Sequence, residues 1–186
     1  LSFGKKVLVM GDPGQLPPVN EKAEGGQAFD FVDPIMLTEV HRQAEESRVL
    51  RLAHAVRSGA PLWRAGVKIE ATGPLPGAGQ VIVWRNRTRV SLSLMVRARL
   101  GIKGGKLQAG EPVASKARSR QHVARGFRNN ELLNYAGNGQ FMDDGGNKLI
   151  APAICVEELD RRDPINNEVP LRLAYALTAH TAQGSE

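Results

Sequence analysis

A single cysteine, Cys155, stands in 186 residues. That excludes an internal disulfide framework and fits a reducing compartment. Four scattered histidines and one cysteine offer no zinc-type ligand spacing, so no protein-bound metal site is expected from the side chains alone. Aromatic residues are scarce, and no apolar run approaches the roughly 20 residues that a membrane-spanning helix requires. No signal peptide is visible. There are no internal repeats and no low-complexity tracts. Ordinary apolar content remains, enough for a packed core, on a length that suits one large or two small domains.

Acidic residues are also missing where basic ones crowd. Between Val81 and Asn130 the chain carries Arg85, Arg87, Arg89, Arg97, Arg99, Lys103, Lys106, Lys116, Arg118, Arg120, Arg125 and Arg128, and Glu111 is the sole acid. The rest of the chain is net acidic although the total formal charge is +6. A merely solvated face usually mixes both signs. This segregation is the electrostatic footprint of a polyanion partner.

The organising stretch is GDPGQLPPV, Gly11 to Val19. It follows the apolar run Val7 to Met10, which suits a strand buried on both faces in a parallel sheet. The loop leaving the carboxyl end of such a strand is where ligands bind in open α/β sheets. Gly11 and Gly14 permit close backbone approach, Pro17 and Pro18 stiffen the exit, and Asp12 and Gln15 are short polar groups within reach of a ligand. Pro34 to Thr38 reads as a short strand. A helix is expected over Ala44 to Ser58, with Val49, Leu52 or Ala53, and Val56 on its apolar face and Gly59 and Pro61 as its stop.

The Pro- and Gly-rich stretch 60–79 reads as a connection between two lobes. Gln80 to Trp84 is a strand, with Trp84 expected in the core, although Trp84 and Phe141 are both candidates for base stacking. Asn86 or Thr88 caps a helix running to about Leu100, with Val90, Leu94 and Ala98 along one face. From Lys103 to Pro152 short apolar runs, frequent glycine and the Asn138-Gly139 pair predict a small antiparallel insertion. Val156 to Val169 reads as a polar loop or hairpin, and Leu171, Leu173, Tyr175 and Leu177 alternate as one strand.

GDPGQLPPV resembles motif III of the superfamily 1B DNA helicases, the RecD-like and Dda-like group. In the same order, LTEVHRQ (Leu37 to Gln43) resembles motif IV and YALTAHTAQGSE (Tyr175 to Glu186) resembles motif V. WRNRTRV resembles the family's asparagine-containing motif after the first strand of the second lobe. The resemblance implies an α/β fold of RecA-like lobes with parallel sheets and a small inserted SH3-like β-barrel. It places the end of the first lobe at 1–75, the start of the second at 76–104, the barrel at 105–155 and the return to the second lobe at 156–186. It implies an ATP-dependent helicase that moves 5′ to 3′ on single-stranded DNA, uses ATP and Mg²⁺, and serves replication, repair or recombination in the cytoplasm of a bacterium or phage-infected cell.

On these positions Gln15 orients the attacking water and senses the γ-phosphate, and Arg42 neutralises charge developing on the transferred phosphoryl group, as an always-charged guanidinium can. Asp12, Gly184 and Glu186 fall on the nucleotide side. Pro17, Asn86, Arg89, Thr178 and His180 fall on the DNA side. The family commonly has lysine where this chain has Thr181. No GxxxxGK[ST] phosphate loop occurs in these residues. The chain therefore reads as an internal-to-C-terminal helicase segment with no ATPase activity of its own. The alternatives are the helicase part of a conjugative relaxase or recombination nuclease, and a non-enzymatic single-strand-binding module for which the basic stretch alone would suffice.

Overall fold

The structure is a computed structural model that describes Gly4, Leu8, Met10–Asp12, Ile35 and residues 48–66, 80–165 and 167–183. The chain divides into two compact units, 1–73 and 74–186.

In the first unit the regular elements among the described residues are helix α1, Arg48–Arg57, and a 3-10 turn, Leu62–Ala65. Gly59 and Gly66 both adopt the left-handed conformation that ends a helical segment. Ala55 is the buried residue of α1, whereas Val49 and Val56, expected on its inner face, are exposed. Leu8 and Met10, the described part of the run Val7 to Met10, are 82% and 83% exposed and lie in no strand. A parallel strand draws its burial from neighbours on both sides, and no strand neighbours this run among the described residues. The expected strand around Pro34 to Thr38 is described only at Ile35, which is exposed.

The second unit is built from two sheets. Strand β1, Val81–Val83, pairs in parallel with β8, Ala176–Thr178, with Ile82 opposite Leu177. Parallel neighbours need a long crossover, and everything between them in sequence serves as one. It begins with helix α2, Asn86–Arg99, which packs on this pair, as does the short helix α5, Ala179–Gln183.

The second sheet has six strands: β2 (Pro112–Ser115), β3 (Leu132–Gly137), β4 (Gln140–Met142), β5 (Lys148–Ile150), β6 (Ile154–Val156) and β7 (Val169–Leu173). Their order is β5-β4-β3-β2-β7-β6, antiparallel throughout except for the parallel β6–β7 pair. The antiparallel character of 103–152 is as the turn residues predict. Asn138 and Gly139 both have positive φ and join β3 to β4. β5 and β6 stand at opposite ends of the order, with no pairing between them among the described residues.

Phe141, Phe127, Leu133, Val113, Leu171 and Leu173 form the main core, with Phe127 edge-on to Phe141 at 5.6 Å. Phe141 is fully enclosed, so it has no free face for a base. On the alternate side of β2, Ala114 joins Ala174 and Leu177 in a second cluster. The period-two alternation of β2 thus presents residues to two cores.

The alternating stretch Leu171 to Leu177 is two strands, not one. β7 ends at Leu173 in the six-stranded sheet, and β8 begins at Ala176 in the parallel pair. Ala174 donates to the Pro112 carbonyl at 2.9 Å and closes the first ladder where the chain changes sheets. The polar segment after β6 also differs from a plain loop: Glu157–Asp160 forms a helical turn, α4, ended by Arg161 in the left-handed region. Together these elements make a mixed α/β unit with a parallel component, and no described helix is long and apolar enough to cross a membrane.

Candidate nucleic-acid interface

The helix expected after β1 forms, but with a different inner face. Its buried residues are Arg89, Ser93 and Arg97, at i, i+4 and i+8, while Val90 and Leu94 are half-buried and Ala98 is exposed. The helix follows a polar stripe because partners for that stripe wait on the neighbouring elements. Arg89, wholly enclosed, donates to Glu158 of α4, to Glu157 at 3.0 Å and to Asn86 Oδ1 at 2.7 Å. Glu158 also accepts from the Leu173 amide at 2.9 Å, and Glu157 accepts from Lys116 Nζ at 2.9 Å. Burial alone would raise the Glu157 carboxyl, but Lys116, Arg89 and Asn86 outweigh it and hold the group below its ordinary range. Ser93 Oγ accepts from the Ala176 amide at 3.3 Å and so ties α2 to β8.

Arg97 makes the second clamp. Its Nε donates to Glu111 Oε1 at 2.7 Å, and its terminal nitrogens reach the Gly104 and Lys106 carbonyls at 2.6 and 2.5 Å. Glu111, the lone acid of the basic stretch, is fully buried and also takes the Tyr175 hydroxyl at 3.1 Å and the Gln108 amide at 2.7 Å. Two cations of the basic stretch are therefore internal, and Lys116 is paired. The charge left facing outward includes Arg85, Arg87, Arg118, Arg120 and Arg128.

Five of the residues singled out from the sequence, Gln15, Pro17, Arg42, Gly184 and Glu186, lie outside the described residues. Asp12 is described, and its carboxylate takes both terminal nitrogens of Arg57, at 3.1 and 3.0 Å, a two-pronged pair. Asn86 is in the first turn of α2 and not at its cap, which is Arg85 with no side-chain capping bond; its amide oxygen serves Arg89 instead. Arg89, fully buried with its donors on Glu157, Glu158 and Asn86, offers nothing to a ligand outside, whereas Arg85 and Arg87 beside it are exposed.

Thr178 and His180 sit at the carboxyl end of β8 and in α5. Thr178 Oγ1 lies 2.9 Å from Thr181 Oγ1 and accepts from the Thr181 amide at 3.4 Å, so it caps the start of α5. Thr181 is buried there, which suits its small side chain better than the lysine common in the family. His180 is exposed and faces Trp84, whose ring centroid is 5.9 Å away with a tilt of 46°. Trp84 is 66% exposed, the reverse of the core position expected for it. It lies one residue beyond the carboxyl end of β1, where the ladder has ended and no layer of the described residues covers it. The structure thus brings Trp84, Arg85, Asn86 and His180 to the carboxyl edge of one parallel pair, where open α/β sheets hold ligands.

The comparisons agree with this architecture: the chain resembles superfamily 1B helicases in sequence and fold, and its mixed α/β architecture fits a RecA-like lobe. In particular, the chain is similar to the ATP-dependent RecD2 DNA helicase of Deinococcus radiodurans, 28% identical over 204 aligned residues that take in 98% of this chain. It also resembles in fold the Pif1 helicase of Bacteroides, solved in complex with ADP-AlF3 and single-stranded DNA, with a TM-score of 0.53, 18% identity and 94% of this chain covered. The chain spans 28% of the length of that curated relative and 52% of that solved chain. No protein-family model matches it.

Proposed function

We propose that this chain forms part of an ATP-dependent DNA helicase that moves on single-stranded DNA, with the carboxyl edge of β1 and β8 on the DNA track. The observation that carries this reading is the ordered recurrence of three family motifs along a chain whose similarity to RecD2 runs over 98% of its residues. The exposed cations around Trp84 and α3 (Arg120–Ala124) supply the phosphate-binding charge. Movement from 5′ to 3′ follows from the resemblance. ATP and Mg²⁺ belong to the same reading: Gln15, Arg42, Gly184 and Glu186 would face the nucleotide, whereas the Asp12 carboxylate is already paired with Arg57. The strands β2 to β5 are the counterpart of the family's small inserted barrel, with β7 completing their sheet.

The test is a titration of labelled single-stranded DNA at several salt concentrations. Three to five phosphate contacts predict a log–log slope of about −2 to −3.5, at roughly −0.7 per phosphate on single strands. Replacing Arg118, Arg120 and Arg125 together with alanine should flatten that slope and weaken all base sequences alike. An unchanged slope would remove this charge from the DNA track.

A further inference from the structure

We infer that Trp84, backed by His180, is a stacking platform for one base of the bound single strand; this rests on the single-strand reading above. A tryptophan at the end of a three-residue strand ordinarily finds cover, because burying an aromatic ring of that size is strongly favourable. Here two large apolar side chains two positions apart stand uncovered, Ile82 in β1 and Trp84 just beyond its end, at 58% and 66% exposure. The one aromatic neighbour of Trp84 among the described residues, His180, is itself exposed, and the 46° tilt splays the two rings instead of stacking them. A base inserted between them would need about 7 Å, two ring spacings of ~3.5 Å, so at 5.9 Å the outer face of the indole is the docking surface.

The charge around the ring identifies the occupant. Arg85 and Arg87 flank Trp84 in sequence, both are exposed, and neither has a carboxylate partner among the described residues. An apolar ring face set among unpaired guanidinium groups complements a flat base attached to a phosphate chain, and such platforms accept any base because every base has a π-face. An apolar protein partner would leave those cations unmatched.

The experiment uses the chain with Trp63→Phe, which leaves Trp84 as the sole tryptophan. Its fluorescence is followed during titration with an oligothymidylate of about 12 nucleotides, within the range of single-strand site sizes, and with an abasic oligomer of equal length. The expected result is quenching by the base-bearing strand only, with the abasic strand bound about 5- to 150-fold more weakly, the span of one aromatic–base stack. Trp84→Ala should bring the two strands to equal affinity without changing the salt slope, and Trp84→Phe should retain most of the difference. Binding of oligothymidylate with unquenched Trp84, and with affinity unmoved in Trp84→Ala, overturns the platform and leaves the single-strand reading standing. Quenching by ATP without DNA, uncompeted by oligothymidylate, overturns it in favour of a mononucleotide. Failure of both oligomers to bind overturns the single-strand reading and the platform with it.

Discussion

Replacing Arg97 with methionine should be among the most damaging single changes in the second unit. The side chain is nearly buried, and its guanidinium meets both Glu111 oxygens, at 2.7 and 3.2 Å, as well as two backbone carbonyls. Methionine fills similar volume, so cavity formation contributes little. The damage is electrostatic: Glu111, fully enclosed, keeps only the Tyr175 hydroxyl and the Gln108 amide, and the Gly104 and Lys106 carbonyls lose their donor. Breaking a buried pair by removing one partner costs about 3–5 kcal/mol. That is a large share of the ~5–15 kcal/mol that holds a typical domain together. The assay is a urea titration followed by Trp84 fluorescence in the Trp63→Phe background, so that the signal reports the second unit. Arg99→Ala, one turn-end neighbour that is exposed, should shift stability by less than about 0.5 kcal/mol. Adding Glu111→Gln to Arg97→Met removes the stranded charge, and should give a coupling energy of about 0.5–3 kcal/mol in the double-variant cycle. A loss below about 1 kcal/mol for Arg97→Met, the scale of an exposed pair, would refute the assignment of Arg97 as an internal clamp.

Two further outcomes follow from the same unit. Gly139 has a φ of +72°, and a Cβ there would run into the Ala151 carbonyl oxygen, while the Ala151 amide already binds the Gly139 carbonyl at 2.8 Å. Gly139→Ala should therefore cost more than the roughly 1–2 kcal/mol of left-handed strain alone; Gly104→Ala, with φ +92° and open space, is the control, and equal losses would refute the steric part. Tyr175 is held neutral well above its ordinary value by burial first and by the Glu111 charge second. A group raised in the folded state contributes stability that is complete below its unfolded value of about 10 and declines as pH climbs past it. Urea midpoints from about pH 8 to about pH 11 should fall more steeply for the wild type than for Tyr175→Phe, and parallel curves would count against the coupling.

What the sequence made legible is what local chemistry decides. The Asn138-Gly139 pair announced the β3–β4 turn because two successive positive φ angles are cheap only for such residues. Gly101 stopped α2 near the expected place, again through a positive φ. What stayed hidden depends on partners remote in sequence. The apolar residues of α2 suggested a face through Val90, Leu94 and Ala98, yet Arg89 takes the core because Glu157 and Glu158 arrive some 70 positions later. One signal was available: a single acid in a long basic stretch, Glu111, is a candidate internal partner, and Arg89, Ser93 and Arg97 recur at helical spacing along one face of α2. Trp84 misled for the complementary reason. Its strand is apolar, but the residue lies beyond the last paired position, Val83 opposite Thr178, where no neighbouring strand continues.

The clamps also bear on how the candidate interface keeps its shape. β8 is three residues long and too short to hold its own position by ladder bonds to β1 alone. Its entry is fixed instead from two sides, by Ser93 on the Ala176 amide and by the Arg97–Glu111 pair through the Tyr175 hydroxyl. His180 follows four residues after Ala176, within α5, whose start Thr178 caps. The angle between His180 and Trp84 therefore depends on α2, which also begins two residues beyond Trp84. One helix thus governs both halves of the aromatic pair, Trp84 through its own first turn and His180 through β8. A change such as Ser93→Val, which is buried and alters no charge, should consequently alter base stacking while leaving the salt slope of binding intact. A Ser93 variant that kept Trp84 quenching but flattened the slope would show that α2 positions cations and not rings.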